Sequence, residues 1–148
     1  MLINKKLRVL LIEDDPDNHL AFEFSKGEEW DITRYKHPYL ADASDIDNYD
    51  VLFLDIVFNI KDDDIRKIPS SWIDASVFTP ARDFIKSVLA IKPNFPIILL
   101  TALNKEQISK DSDIFDINAK ILHMNKPTNF NSDEFSKTVA QFIQNTSA

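Results

Sequence analysis

Four short apolar runs of the sequence each lead into reactive polar residues, and this pattern is the strongest constraint on the fold. The runs and the residues after them are 7–12 before Glu13-Asp14-Asp15, 51–54 before Asp55, 97–100 before Thr101, and 121–124 before Lys126-Pro127. Continuous aliphatic runs are typical of strands buried on both faces of a parallel sheet. The carboxyl ends of such strands lie along one edge, where open α/β sheets bind ligands. We therefore expect carboxylates, a hydroxyl and an ammonium group to meet in one pocket.

Helical patterns alternate with these runs, which predicts five βα units in a doubly wound parallel sheet with helices on both faces. The predicted strands lie at about 7–12, 30–35, 50–55, 96–101 and 119–124, and the second has the mixed pattern of an edge strand. Capping residues, prolines and apolar stripes place five helices. The first runs from Asp15-Pro16 to Gly27, the second lies within 38–47, and the third runs from a Thr79 cap and Pro80 to Pro93. The fourth begins after Asn104 and carries Ile108 and Phe115, and the fifth begins near Asn131, with Glu134 completing a capping box. No linker or repeat interrupts the pattern, so residues 1–148 are predicted to be one domain.

An extended insertion at about 56–79 separates the third strand from the third helix and is longer than an ordinary βα loop. It contains Asp62-Asp63-Asp64, followed by apolar residues that include Ile68, Trp72 and Phe78. One interpretation is a solvated acidic turn followed by a segment that packs on the body of the domain. The other is a lid or partner surface beside Asp55.

Composition excludes several classes of protein. The 148 residues are 44% hydrophobic, which argues against disorder, and no apolar stretch approaches the ~18 residues that a membrane span needs. There is no cysteine, which excludes disulfides and thiolate sites, and there is no glycine-rich phosphate loop. The net charge of −7 disfavours direct binding to nucleic acid. The N-terminus runs into a strand without a signal-peptide core, so we expect a cytoplasmic location.

The residues at the predicted edge suit a divalent cation and a phosphoryl group. Neighbouring carboxylates repel one another, and Mg²⁺ relieves this repulsion with oxygen ligands. Asp14 and Asp55 are the candidate direct ligands, Glu13 could bind directly or through water, and the backbone carbonyl of Val57 could add an oxygen. A carboxylate can also act as a nucleophile and form an aspartyl phosphate.

Two further residues would serve the phosphoryl group. Lys126 would neutralise its oxygens and Thr101 would donate its hydroxyl to one of them. Taken alone, Glu13-Asp14-Asp15 is about as well explained by capping as by metal binding, while Asp55, Thr101 and Lys126-Pro127 are better explained as a loop residue or cap, a strand end and a common dipeptide. Only their joint occurrence favours the functional interpretation. The histidines, at 19, 37 and 123, lack the spacing of a metal site or of a catalytic triad.

These residues give the sequence a resemblance to the receiver domain of two-component response regulators. The matching stretches are 9–15, 49–56, 96–102 and Lys126-Pro127, and together they span nearly the whole chain. The resemblance implies a flavodoxin-like sheet of order 2-1-3-4-5. It also implies that Asp55 accepts a phosphoryl group from a histidine kinase, with Glu13 and Asp14 as the acidic pair.

The resemblance also assigns the remaining positions. Thr101 matches the switch hydroxyl with Ala102 beside it in the phosphate-binding stretch, His123 matches the switch aromatic, and Lys126 matches the family's lysine. The bond before Pro127 resembles one that is cis in the family. After the acceptor the family usually continues with a proline and glycines, whereas this chain reads Ile56-Val-Phe-Asn-Ile60.

Three hypotheses follow. The first is a phosphoacceptor that receives its phosphoryl group from a sensor histidine kinase or phosphotransfer protein. It would signal to a downstream protein effector and would catalyse only its own phosphorylation and dephosphorylation. The second is a receiver-like interaction module that works without phosphorylation. The third is a Mg²⁺-dependent aspartyl-phosphate phosphatase, which Val57 disfavours because such enzymes commonly carry a second aspartate there. The sequence leaves open whether the protein is a homodimer.

Overall fold

Five parallel strands form the centre of the computed structural model, which describes residues 6–15, 22–23, 26, 29–58, 66–73, 75–101, 103, 106–108, 120–125 and 133–147. The strands are β1 (Leu7–Ile12), β2 (Trp30–Tyr35), β3 (Val51–Leu54), β4 (Ile97–Thr101) and β5 (Leu122–Asn125). Their order in the sheet is β2-β1-β3-β4-β5, and every neighbouring pair is parallel. The structure confirms the predicted flavodoxin-like, doubly wound sheet with β2 at one edge.

The strands form where continuous apolar runs can be buried on both faces. Every residue of β3 and β4 is buried, as are the last four residues of β1. The fifth strand was predicted at 119–124, but β5 begins at Leu122 and extends to Asn125. This boundary follows the register, because Leu122 pairs with Ile98 and Asn125 with Thr101. β5 therefore ends beside the hydroxyl at the end of β4.

Two helices that fall within the described ranges cover opposite faces of the sheet. Helix α1 (Thr79–Ile91) packs its buried residues, Phe84, Ile85 and Val88 among them, into the cluster that contains Leu52 and Leu54. Helix α2 (Asp133–Ser147) packs against the other face, in the cluster of Val9, Leu11, Phe53, Phe135 and Val139. No helix within the described ranges is long and apolar enough to cross a membrane.

A buried lysine side chain connects α2 to the start of β2. Lys26 is 4% exposed, and its Nζ donates to Ser136 Oγ at 2.5 Å and to Glu29 Oε2 at 3.2 Å. The ammonium group also lies 5.5 Å from the centre of the Trp30 ring and 5.8 Å from that of Phe135. Such a charge is tolerated in the interior because it has a carboxylate, a hydroxyl and aromatic faces around it.

The predicted helix within 38–47 is wrong. Two 3₁₀ helices, Pro38–Leu40 and Ala43–Asn48, occupy this stretch, with extended backbone at Ala41 and Asp42 between them. Asp42 accepts hydrogen bonds from the Ser44 N–H at 2.9 Å and from its hydroxyl at 2.7 Å. Short polar side chains that bond nearby backbone in this way compete with a continuous α-helix.

The start of the third predicted helix also needs correction. Thr79 was predicted to cap it, but α1 begins at Thr79 itself, and Phe78 stands at the cap position without a side-chain hydrogen bond to the helix. Thr79 is buried, and its N–H bonds the carbonyl of Ser76 at 3.0 Å. Thr79 is therefore a buried residue of the first helical turn and does not cap the helix.

Several predicted helix features fall outside the described residues: Pro16, Gly27, Phe115 and the Asn131 cap. Phe22, Glu23 and Lys26 are helical within the first predicted helix, and Glu106–Ile108 are helical within the fourth. Ile108 is fully buried, as its place in the apolar pattern predicts.

The described part of the 56–79 insertion packs on the domain. Ile56 and Phe58 are fully buried, and the Phe58 N–H donates to the Val77 carbonyl at 3.1 Å. A short 3₁₀ helix, Ser70–Trp72, brings the Trp72 indole to within 6.0 Å of the His37 ring, and its Nε1–H donates to Asp83 Oδ2 at 2.8 Å. This arrangement favours the packing interpretation for residues 66–73 and 75–78, while the acidic turn at 62–64 lies outside the described residues.

Candidate functional site

Glu13 follows β1 at the carboxyl edge of the sheet, and its backbone is held from two sides. Its N–H donates to the Tyr35 carbonyl at 3.1 Å. Its own carbonyl accepts from Arg34 Nε at 3.1 Å and from Arg34 Nη2 at 2.8 Å. The side chain is only 3% exposed, and its Oε1 accepts the N–H of Asp15 at 3.0 Å. The turn after β1 is therefore fixed where the acidic residues begin.

Asp55 occupies the corresponding position after β3. Its N–H donates to the Ile12 carbonyl at 3.1 Å, so the residue continues the pairing of β3 with β1. Its Oδ1 accepts the N–H of the next residue, Ile56, at 2.7 Å. The side chain is 9% exposed at the rim of the apolar core. These bonds orient a nearly buried carboxylate toward the same sheet edge as Glu13.

Three carboxylates converge at this edge. Glu13, Asp14 and Asp55 each offer an oxygen, and these oxygens lie within 4.8 Å of one another, with Asp14 exposed to solvent. Mg²⁺ binds oxygen at about 2.0–2.1 Å, so opposite ligands around it stand about 4.2 Å apart. The cluster therefore matches an octahedral oxygen site after a small inward movement or with a water completing the shell. An all-oxygen donor set favours a hard cation such as Mg²⁺.

Thr101 and His123 are joined through the backbone of Leu103. Thr101 ends β4 and is 2% exposed, and its Oγ1 accepts the Leu103 N–H at 3.2 Å. The Leu103 carbonyl lies 2.9 Å from His123 Nε2, on β5. A carbonyl can only accept, so Nε2 is the protonated nitrogen in this contact. The hydroxyl after β4 and the ring on β5 thus share one short peptide segment.

Of the other predicted site residues, the structure describes Val57 alone. Val57 is half-buried two residues beyond Asp55, and the role of its carbonyl stays a prediction. Ala102, Lys126 and Pro127 lie outside the described residues, and so does the bond predicted to be cis. The roles assigned to all of these residues, and to Thr101 and His123, remain predictions.

Sequence reasoning missed Arg34 and Leu103. Arg34 sits on the edge strand β2, and its guanidinium reaches across to the backbone carbonyl of Glu13. Leu103 acts through its own peptide groups. Leu103 carries no sequence signal, because a backbone partner depends on register and loop path. A weak hint was available for Arg34, since an arginine on an edge strand has room to reach the adjacent strand end.

Comparison with solved structures identifies the class of fold. The chain is 16% identical to a response regulator receiver protein from Sinorhizobium medicae, with a TM-score of 0.66, and the match covers 96% of this chain and 98% of that one. A CheY-like response regulator receiver domain protein from Methanospirillum hungatei is 14% identical, with a TM-score of 0.63 and coverage of 97% and 98%. The BeF3-activated receiver domain of DrrB is 17% identical, with a TM-score of 0.61 and coverage of 95% and 99%.

The likeness lies in structure and not in sequence. No protein-family model matches the sequence, and no curated protein matches it either. The sheet order, the all-parallel pairing and the extent of the structural matches show that the chain has the fold of response regulator receiver domains. At these identities the matches show the fold alone, and activity has to be argued from the site.

Proposed function

We propose that this chain is a phosphoacceptor receiver in which Asp55 takes a phosphoryl group from a phosphohistidine. The observation that carries the proposal is the cluster of Glu13, Asp14 and Asp55 at the carboxyl edge of a receiver-type sheet, with carboxylate oxygens within 4.8 Å. In the transfer, an Asp55 oxygen bonds to phosphorus as the phosphorus–nitrogen bond of the donor breaks. The histidine departs as the leaving group, and an acyl phosphate is formed on Asp55.

The residues around Asp55 fit this reaction. Mg²⁺, when bound, would neutralise charge on the carboxylates and on the incoming phosphoryl oxygens. Glu13 and Asp14 would hold it together with Asp55 and, by our prediction, the Val57 carbonyl. The Ile56 N–H orients the Asp55 carboxylate at the strand end. Thr101 would donate its hydroxyl to a phosphoryl oxygen, with Ala102 beside it, and Lys126 would supply a cation.

Signalling would follow from the contacts of the phosphoryl group. A phosphoryl group adds about −1.5 to −2 charges and new acceptor oxygens. If Thr101 turns toward it, the Leu103 N–H loses its present acceptor, which is the Thr101 hydroxyl. A movement of the Leu103 backbone would carry with it the carbonyl that lies 2.9 Å from His123 Nε2. Phosphorylation would in this way bias two arrangements of the face near β5.

The partners in this proposal are a sensor histidine kinase or phosphotransfer protein as donor and a protein effector as target. The chain would catalyse only its own phosphorylation and dephosphorylation. We propose a single receiver domain over residues 1–148 with an insertion at about 56–79. A cytoplasmic location stays a prediction.

The test is phosphorylation by a small-molecule donor. The protein is incubated with acetyl phosphate, with and without Mg²⁺, and intact mass is measured. We expect one phosphoryl adduct that requires Mg²⁺ and that Asp55→Asn abolishes. Asp31→Asn, which neutralises an exposed carboxylate on β2, is the matched control and should be phosphorylated like the wild type.

Three outcomes would contradict the proposal. An adduct that survives Asp55→Asn would place the chemistry on another residue. Complete failure to form an adduct, together with failure to bind fluoroberyllate in the presence of Mg²⁺, would favour a receiver-like module that works without phosphorylation. Multiple turnovers of an external phosphate ester would instead favour the phosphatase hypothesis.

A further inference from the structure

A groove lies on the α1 side of the domain, away from the carboxylate cluster. It has a volume of about 1070 Å³ and runs between residues 38–43, residues 66–72 and the exposed face of α1. We call it the α1 groove. None of its lining residues belongs to the cluster of Glu13, Asp14 and Asp55. The described part of the insertion forms one of its walls.

The floor and one rim of the groove are apolar. Ile68, Trp72 and Phe84 form a buried base, while Leu40 stands at the rim with 42% of its surface exposed. The Trp72 indole is fixed by its hydrogen bond to Asp83, which is anchored on α1. A base fixed in this way is preformed, which lowers the entropy lost when a partner binds.

The charges around the groove differ from those of the whole chain. Arg66, Lys67 and Lys86 line it and are exposed, in a chain whose net charge is −7. Within the described part of the chain, none of these three cations forms an ion pair. The lining also holds two carboxylates, Asp42 and Asp83, and Asp83 already forms an ion pair with Arg82 at 3.6 Å. Among the described lining residues, positive charges therefore outnumber negative ones.

We propose that the α1 groove is a docking site for an acidic segment of a partner protein, with an apolar side chain of the segment seated on Trp72 and Phe84. The cations at the rim would pair with carboxylates of the segment, and Leu40 would cover the apolar side chain. This inference does not depend on phosphorylation of Asp55, so either proposal can fail while the other stands.

The groove favours a protein segment over other polyanions and over a second copy of this chain. A long nucleic acid would extend beyond the groove over a chain whose net charge is −7, and that charge repels it. A second copy carries the same net charge of −7 and would approach against that repulsion. A short acidic segment with an apolar anchor satisfies both the apolar floor and the basic rim.

The test uses a fluorescein-labelled synthetic peptide rich in glutamate and leucine with one tryptophan, and fluorescence anisotropy at low salt. We expect Lys86→Glu to weaken binding about three- to ten-fold, because it reverses a charge at the rim. Lys137→Glu is the matched control, since Lys137 is an exposed helical lysine on the opposite face of the sheet. It makes the same change in net charge and should leave the affinity unchanged.

A second pair of variants tests the apolar contact. We expect Leu40→Ala to weaken binding by a similar factor, roughly three- to ten-fold, as loss of an anchor contact does. Ile91→Ala is its control, because Ile91 is 47% exposed and lies outside the groove lining. Added salt should remove the effect of Lys86→Glu and spare that of Leu40→Ala.

Several results would overturn the inference. One is equal affinity for an analogue with lysine in place of glutamate, and another is no binding at roughly 1 mM peptide. Equal losses in the groove variants and their controls would show that binding occurs elsewhere. Self-association in sedimentation experiments that Leu40→Ala abolishes would assign the groove to a second copy of the chain.

Discussion

Replacing Phe58 with alanine tests whether the segment after Asp55 is part of the core. Phe58 is fully buried, and its ring centre lies 5.2 Å from that of His37 in an edge-on contact. Truncating a buried phenylalanine to alanine costs about 3–5 kcal/mol, from lost transfer free energy and from the cavity that remains. Domains are stable by only about 5–15 kcal/mol, so the loss is a large fraction of the total.

The assay is equilibrium unfolding in urea, followed by circular dichroism and by tryptophan fluorescence. With a slope of about 2 kcal/mol per molar urea, the expected loss moves the midpoint down by about 1.5–2.5 M. The slope itself should not change if the folded state keeps its compactness. Agreement between the two probes would show that unfolding remains two-state, as the free-energy comparison requires.

The control is Val77→Ala in the same segment. The side chain of Val77 is 40% exposed, while its backbone carbonyl accepts the Phe58 N–H and is unaffected by the change. We expect a loss within about 0.5 kcal/mol, as is usual for surface positions. A loss below about 1 kcal/mol for Phe58→Ala would refute the reasoning, because it would mean that the residues after Asp55 do not pack as the structure shows.

Three further predictions concern charge and the switch contact. Asp14→Asn should raise the melting temperature without Mg²⁺, since repulsion between unit charges within 4.8 Å of one another is roughly 1–3 kcal/mol. The same variant should reduce the stabilisation that added Mg²⁺ gives, because it removes a ligand. The Arg8 guanidinium holds the pKa of the Asp50 carboxyl below its usual range. The contribution of this ion pair to stability is therefore present above the unfolded pKa of ~3.9 and is lost as the pH falls through the lower folded pKa. In thermal melts at a series of pH values, Asp50→Asn should reduce the fall of the melting temperature in acid. Thr101→Val should still allow Asp55 to be labelled by acetyl phosphate, more slowly because a donor to the phosphoryl oxygens is lost, but should abolish the phosphorylation-dependent shift of the Leu103 amide in NMR spectra.

The strands could be predicted from sequence because burial on both faces leaves a continuous apolar run. Within 38–47 the predicted helix is replaced by two short 3₁₀ helices, because Asp42 has extended backbone and its side chain caps a new helix at Ala43. At the site, strand ends predicted that Glu13, Asp14 and Asp55 would share one edge. Their chemical roles still rest on the proposal.

The contacts that fix the site could not be predicted in the same way. Arg34 bonds a backbone carbonyl, and the link between Thr101 and His123 passes through peptide groups of Leu103. Backbone acceptors are present at every residue, so no residue type marks the one that is used. Only the register of β2 against β1 and of β5 against β4 selects these partners.

The segment from Asp55 to Phe58 connects the two proposed sites. At one end the Asp55 N–H is bonded to Ile12 of the sheet, and at the other the Phe58 N–H is bonded to Val77 of the insertion. The Phe58 ring contacts His37, which in turn contacts Trp72 in the base of the α1 groove. A change in backbone at the phosphoacceptor is therefore confined between two fixed points, and the second lies one ring contact, through His37, from the Trp72 of the groove. If phosphorylation of Asp55 changes the affinity of the groove through these contacts, occupancy of the groove changes the equilibrium at Asp55 by the same factor, because coupling between two sites is reciprocal.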